Sequence, residues 1–421
     1  MKVAITGPLA DKNLGDYGMF INNLYDMPIE HKYIVFSYNS AFVENLKSDF
    51  LQGYDVDFID VQLTKETKSK FNILEELKKI RKTLLGTSRK KIPTPLELLN
   101  RCSNIRQLER EIESIDVLLV SGGGYFNDLW FEWERNGDLF KIITPILIAS
   151  RMNKKVVFTA NGYGPFDSSQ HFYEMVFAES KNAIFGCRDK KLSPMYLSSV
   201  GVKSVEYLPD DLYIVNSKIE FGKDYSYKKY GDYVIFEQYG DVKKLKENIE
   251  KIKSLVLFLK SKKLNLVFLT FDIDEPTTTY LKENIKQDNF YIFGYDSGYL
   301  KINDAVGLIK NSKLVICNRY HALVLSLTNK VPVINVIKPV YDLRYYYNKN
   351  VGVLDNAFDG LYYDYGLFIK ESISDVIEVI LFDFDNLLMK QNRLYQSPEF
   401  DSNKATLADV RKAFFNRHLI G

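Results

Sequence analysis

Val117-Leu118-Leu119-Val120-Ser121-Gly122-Gly123-Gly124-Tyr125-Phe126-Asn127-Asp128 is a run of four aliphatic residues that stops at a serine and three glycines. Four apolar residues without alternation read as a strand buried on both faces, as in a parallel sheet covered by helices. The same cadence recurs on either side, with strands expected at 3–6, 33–37, 56–59, 156–159, 183–186 and 205–208, each followed by a helical pattern. These alternating units predict an α/β fold built on a Rossmann-like sheet. A polar, Lys- and Tyr-rich stretch at 217–231 breaks the cadence. A second series follows at 233–237, 266–270, 290–293, 314–317 and 331–336. Two Rossmann-like domains are therefore expected, at 1–216 and 232–400, joined by a linker at 217–231. The carboxyl ends of both sheets should face a central cleft, where open α/β sheets bind ligands. The helical spacing of Leu407, Val410, Phe414 and Phe415 places a last helix within 401–421, expected to pack back on the first domain.

Composition narrows the function classes. With 421 residues, 46% hydrophobic and a net charge of +2, the chain is long enough for two cores, and no strong overall field argues for wrapping nucleic acid. The start, Met1-Lys2-Val3-Ala4-Ile5-Thr6-Gly7, reads as a strand and turn rather than a secretion leader. No apolar run reaches the length of a membrane span. The three cysteines, Cys102, Cys187 and Cys317, lie far apart and outside any metal-ligand spacing. A cytoplasmic protein without metal or cofactor is expected. One segment departs from the average: residues 65–106 hold twelve Lys or Arg against four Glu. Its Ile73, Leu77, Ile80 and Leu84 fall on one helical face. It reads either as a helix on its own sheet with a solvated basic side, or as a peripheral contact with anionic lipid at the inner face of the membrane.

Six loops carry polar residues at strand ends. Asn13-Leu14-Gly15-Asp16 after the first strand either caps the next helix or meets an anion or sugar hydroxyls. The glycine triplet implies close approach of something to backbone. It is neither a phosphate-binding loop of the Gly-Lys-Ser/Thr type nor a GxGxxG turn. Asn161-Gly162-Tyr163-Gly164-Pro165 ends a further strand of the same sheet, and Arg188-Asp189 and Asp210-Asp211 end two more. In the second half, Leu314-Val315-Ile316-Cys317-Asn318-Arg319-Tyr320-His321-Ala322 delivers an arginine and then a histidine into the start of an apolar helix. Arginine binds carboxylate or phosphate through two parallel hydrogen bonds, and histidine carries a proton near neutral pH. A structural histidine capping the helix is the plain alternative.

Taken in order, Asn13-Leu14-Gly15-Asp16, Ser121-Gly122-Gly123-Gly124, Asn161-Gly162-Tyr163-Gly164-Pro165, Arg188-Asp189, Asp210 and Arg319-Tyr320-His321-Ala322 resemble the polysaccharide pyruvyl transferase family across about residues 1–340. The resemblance implies a GT-B-like fold. It also implies phosphoenolpyruvate as co-substrate, and transfer of its pyruvyl group to two hydroxyls of a sugar, as a cyclic ketal, in capsule, exopolysaccharide or wall-polymer assembly. Family members tend to carry a Tyr followed by a Lys soon after the 331–336 strand. Here the stretch reads Ile337-Lys338-Pro339-Val340-Tyr341-Asp342-Leu343-Arg344, so Lys338 or Arg344 is expected to take over that contact. The donor's carboxylate and phosphate then fall to Arg319, with Arg188, Lys338 and Arg344 in support, and His321 becomes the general acid. Its proton is expected to be held by a carboxylate or by the donor's own charge. The acceptor side is expected at Asn13, Asp16, Gly122, Gly123, Gly124, Asn127, Asp128, Asn161, Asp210 and Glu237. Asp16, Asp128, Asp210 or Glu237 would serve as base. The acceptor is either a lipid-linked sugar or a growing glycan. A GT-B glycosyltransferase, with Arg319 on the diphosphate of a nucleotide sugar, is the alternative of the same architecture. A carbohydrate-binding protein without catalysis is a third reading.

Overall fold

The computed structural model describes residues 1–9, 13–37, 40–64, 92–132, 136–220, 226–237, 242–269, 271, 275–293, 299–337 and 343–420. Most of the basic segment, Lys338, and part of the expected linker lie outside them.

The first half folds into β1 (Lys2–Thr6), β2 (Lys32–Ser37), β3 (Asp55–Asp60), β4 (Val117–Val120), β5 (Gly123–Phe126), β6 (Lys155–Tyr163), β7 (Ile184–Cys187) and β8 (Val205–Tyr207). They form one parallel sheet in the order β3-β2-β1-β4-β6-β7-β8, with β5 pairing β6 off this path. The second half folds into β9 (Tyr233–Glu237), β10 (Asn265–Leu269), β11 (Phe290–Ile292), β12 (Leu314–Cys317), β13 (Val333–Val336) and β14 (Ile369–Lys370), ordered β11-β10-β9-β12-β13-β14. The fold is α/β, two Rossmann-like halves of GT-B type. Two strands escape the sequence pattern. β5 is built partly of glycine, which signals a turn, and β14 is only two residues long.

Alternate residues of the inner strands face opposite layers. Val3, Ile5, Val117 and Leu119 join a cluster that also takes Ile235, Val267, Val315 and Cys317 from the second sheet. Ala4, Leu118 and Val120 face a second cluster on the outer side. The two halves thus share one apolar core. In each sheet the strand order reverses beside the first strand, between β1 and β4 and between β9 and β12. Reversal leaves a crevice, since the crossovers leave to opposite sides. The loops after β1, β4 and β12 are among those the sequence marks as polar.

The helix Pro398–Phe415 packs on both halves through Phe400, Leu407, Phe414 and Phe415, all buried. Its Arg411 pairs with Asp26 and Asp211 of the first half. Among the described residues no helix is long and apolar enough to cross a membrane.

Candidate active site

The helix Leu14–Tyr25 starts at Asn13, whose Oδ1 accepts from the Gly15 amide at 3.2 Å and whose Nδ2 donates to Asp16 at 2.9 Å. The capping reading of this loop therefore holds for Asn13. Gly15 has a further purpose. A Cβ built there would stand 1.6 Å from Nδ1 of His321, so the first turn of this helix is the wall against which the second half's imidazole rests.

The glycine triplet is likewise filled from within. The Gly122 amide donates to Asp211 Oδ2 at 2.9 Å, and a Cβ at Gly122 would lie 2.5 Å from that oxygen. At Gly123 a Cβ would meet the Tyr125 ring. At Gly124 it would fall 2.6 Å from Nη2 of Arg188 and 2.9 Å from Cε of Lys349, and at Gly162, 2.9 Å from Nε of Arg188. The Arg188 guanidinium is slotted between these two glycines. Tyr320 stacks on it, with the guanidinium carbon 4.5 Å from the ring centre. Arg188 is 2% exposed and donates from Nη1 to Asp210 Oδ2 at 3.3 Å, while its Nε has no hydrogen-bond partner among the described residues.

At the end of β9, Glu237 is buried and its Oε2 accepts from the amides of Asn318 and Arg319, both at 3.0 Å. This carboxylate pins the turn from β12 into the helix Tyr320–Thr328, with Arg319 as N-cap. It supports the turn that carries Arg319 and His321. His321 is 9% exposed. Its Nε2 has no hydrogen-bond partner among the described residues and lies 3.9 Å from Asp210 Oδ1. Burial first, then the charges of Arg188, Lys349 and Arg319, push the imidazole well below its ordinary pKa, with Asp211 opposing. Unliganded, His321 is neutral at physiological pH. The carboxylate that favours its proton is Asp211, and burial together with the three cations outweighs it.

Three expected residues lie elsewhere. Asp128 is spent on the loop before the helix Gln170–Glu179, accepting from the amides of Asp167, Ser168 and Ser169 at 2.7 to 3.2 Å. A short acidic side chain beside a turn is well placed to satisfy such amides. Asn127 accepts from the Trp130 amide at 3.0 Å and donates to the Gly124 carbonyl at 2.9 Å, bracing β5. Arg344 points outward to an ion pair with Asp167, its Nη1 3.1 Å from Oδ1.

Lys349 occupies the place sought for Lys338 or Arg344. Its Nζ stands 4.5 Å over the Tyr345 ring. A Tyr followed four residues later by a Lys is the pattern expected nearer β13; it is displaced toward the carboxyl end, and searching beyond residue 344 would have found it. Asn161 is fully buried, with Nδ2 on the Thr159 carbonyl at 3.3 Å and Oδ1 without a hydrogen-bond partner among the described residues. The site therefore joins Arg188 and Asp210 of the first half to Arg319, His321 and Lys349 of the second.

Comparison with known proteins agrees with this architecture. The chain is similar in structure to a putative UDP-N-acetylglucosamine 2-epimerase from Listeria monocytogenes, with a TM-score of 0.58 at 11% identity over 99% of this chain and 97% of that one. It is similar to UDP-GlcNAc 2-epimerase from Neisseria meningitidis bound to UDP-GlcNAc, with a TM-score of 0.57 at 12% identity over 98% and 100%. Anabaena HepE in complex with UDP and glucose gives a TM-score of 0.54 at 11% identity over 98% and 100%. At such identities the likeness is one of fold. No curated protein matches significantly. The family model described as polysaccharide pyruvyl transferase matches residues 29–337, well over half of the chain and the span that carries Arg188, Asp210, Arg319 and His321, so this enzyme is a transferase that belongs to the polysaccharide pyruvyl transferase family.

Proposed function

We propose that the enzyme moves the pyruvyl group of phosphoenolpyruvate onto two hydroxyls of a sugar in a capsule, exopolysaccharide or wall-polymer precursor, closing a cyclic ketal and releasing phosphate. The observation that supports this reading is a buried histidine with an unpartnered nitrogen among Arg188, Lys349 and Arg319, its pKa lowered first by burial and then by these three cations. Phosphoenolpyruvate carries a carboxylate and a phosphate on one carbon, so it asks for several cations around a small volume. Arg188, Arg319 and Lys349 answer both groups.

Seating that charge offsets the cations acting on His321, and the imidazole takes up a proton. His321 then protonates the methylene carbon, making it the ketal's methyl group. The neighbouring carbon becomes an oxocarbenium-like centre open to a sugar hydroxyl. Phosphate departs with the electrons of its C–O bond, and the second hydroxyl closes the ring. Of the two hydroxyl protons released, one replaces the proton given by His321 and the other leaves with phosphate. Asp210 takes the base role, because its Oδ1, which also accepts from the Leu212 amide at 3.0 Å, lies 3.9 Å from His321 Nε2. The open acceptor on Asn161 suits a sugar hydroxyl. A lipid-linked acceptor at the inner membrane face fits the basic charge of residues 65–106. No cofactor or metal is called for.

The test is phosphate release from phosphoenolpyruvate in EDTA against a panel of free and lipid-linked sugars. Acceptor-dependent release that disappears in Arg319→Ala and His321→Ala is expected. A thermal shift with UDP-sugars and none with phosphoenolpyruvate would instead favour the glycosyltransferase reading.

A further inference from the structure

Arg411 is 2% exposed and projects from the last long helix into the first half. Its guanidinium makes three bonds, from Nε to Asp26 at 2.8 Å, Nη1 to Asp211 at 2.7 Å and Nη2 to Asn23 at 2.7 Å. Asp211 is fully exploited. Beyond Arg411, its Oδ2 accepts from the Gly122 amide at 2.9 Å, Thr159 Oγ1 at 2.7 Å and Asn23 Nδ2 at 2.8 Å. It thereby ties the glycine loop after β4 to β6. The preceding residue, Asp210, turns the other way, onto Arg188 and toward His321. Two adjacent carboxylates thus form a hinge pin, one end in the anion site and the other clamped by Arg411. A planar guanidinium with three fixed partners sets orientation as well as charge.

We propose that Arg411 is a positioning residue of the donor site: by clamping Asp211 it fixes the Gly122 loop and the Asp210 carboxylate, and through them the place of Arg188. This rests on the reading of the Arg188, Arg319 and Lys349 cluster as an anion site. It makes the helix Pro398–Phe415, beyond the segment matched by the family model, a working part of that site.

The experiment separates this path from mere loss of stability. Asp26 shares the same guanidinium and also accepts from Asn216 at 2.8 Å, and among the described residues these side-chain bonds reach neither Gly122 nor Asp210. Arg411→Lys, Thr159→Val and Asp26→Asn are compared by melting temperature and by titration with inorganic phosphate, a probe indifferent to the identity of the donor. Phosphate binding is expected to weaken about tenfold in Arg411→Lys and about threefold in Thr159→Val, with Asp26→Asn near wild type, as misplacement of a site by a fraction of an ångström would do. Should Arg411→Lys fail to fold, the contrast of Thr159→Val with Asp26→Asn decides. Unchanged phosphate binding in the folded Arg411 and Thr159 variants, or equal weakening in Asp26→Asn, would overturn the proposal. So would a wild-type protein that binds no phosphate. If the expected pattern appears while phosphoenolpyruvate is never turned over, the donor reading fails and the positioning role stands. The pH profile adds a second readout. His321 faces Arg188, Arg319, Lys349, Asp210 and Asp211, and its limb should move to higher pH in Arg411→Ala, where Asp211 has lost its cation.

Discussion

The two strand-order reversals do different jobs with the same topology. Beside β1 and β4, the first half contributes space: Gly15, Gly122, Gly124 and Gly162 are gaps into which His321, Asp211, Lys349 and Arg188 fit. Beside β9 and β12, the second half adds most of the positive charge to that of Arg188, with Arg319 and His321 on the turn held by Glu237 and Lys349 arriving from beyond β13. A glycine-rich loop therefore reports that something comes close to backbone; here most of what comes close is the protein itself.

Substitutions that fill the gaps break this division most sharply. Gly15→Ala should cost about 100-fold in kcat with a folded protein, because a Cβ 1.6 Å from Nδ1 must displace the imidazole that delivers the proton. Steady-state rates beside circular dichroism would check it, and a rate near wild type would show that His321 can move freely. Next comes Gly124→Ala, where the obstruction falls on the cationic side chains of Arg188 and Lys349. The donor KM should rise about tenfold with kcat less affected, the loss of one charge-assisted contact. Asp128→Ala sharpens the comparison from the other side. Its carboxylate serves only the loop before Gln170–Glu179, so unfolding free energy should fall by about 1–2 kcal/mol while the specific activity of folded enzyme stays level. A tenfold activity loss there would return Asp128 to the site.

The smallest effect is a pH dependence. Because the folded protein holds His321 below its unfolded value near 6.5, this group favours folding above that pH and progressively less as pH falls through it. Denaturant midpoints should therefore drop on acidification from about pH 7 to pH 5, less steeply in His321→Asn. Phosphoenolpyruvate should bind more tightly as pH is lowered toward 6.5, the converse of the same linkage.

Much of this arrangement is legible in the chain itself, since buried parallel strands are short aliphatic runs and the polar residues that follow them must sit on one rim. Arg188, Asp210, Arg319 and His321 belong to that rim by position alone. What could not be read is pairing. Asp128 and the loop amides it satisfies are 39 to 41 residues apart, and Asp211 and Arg411 are 200 apart, with no periodicity linking them. Nor does a pattern show that Asp210 and Asp211 face opposite ways. Lys349 escaped because it lies in a π-helical turn, Tyr347–Val351, between the short helices Leu343–Tyr346 and Gly352–Ala357, where the 3.6-residue spacing is interrupted.

The clamp on Asp211 has a bearing on how the enzyme comes into being. Both sheets are complete by residue 370, yet the pin that holds the glycine loop closes only once residue 411 has left the ribosome and folded back. A nascent chain stalled short of that helix would lack the Arg411 bond to Asp211, so this clamp forms only after both sheets have been made.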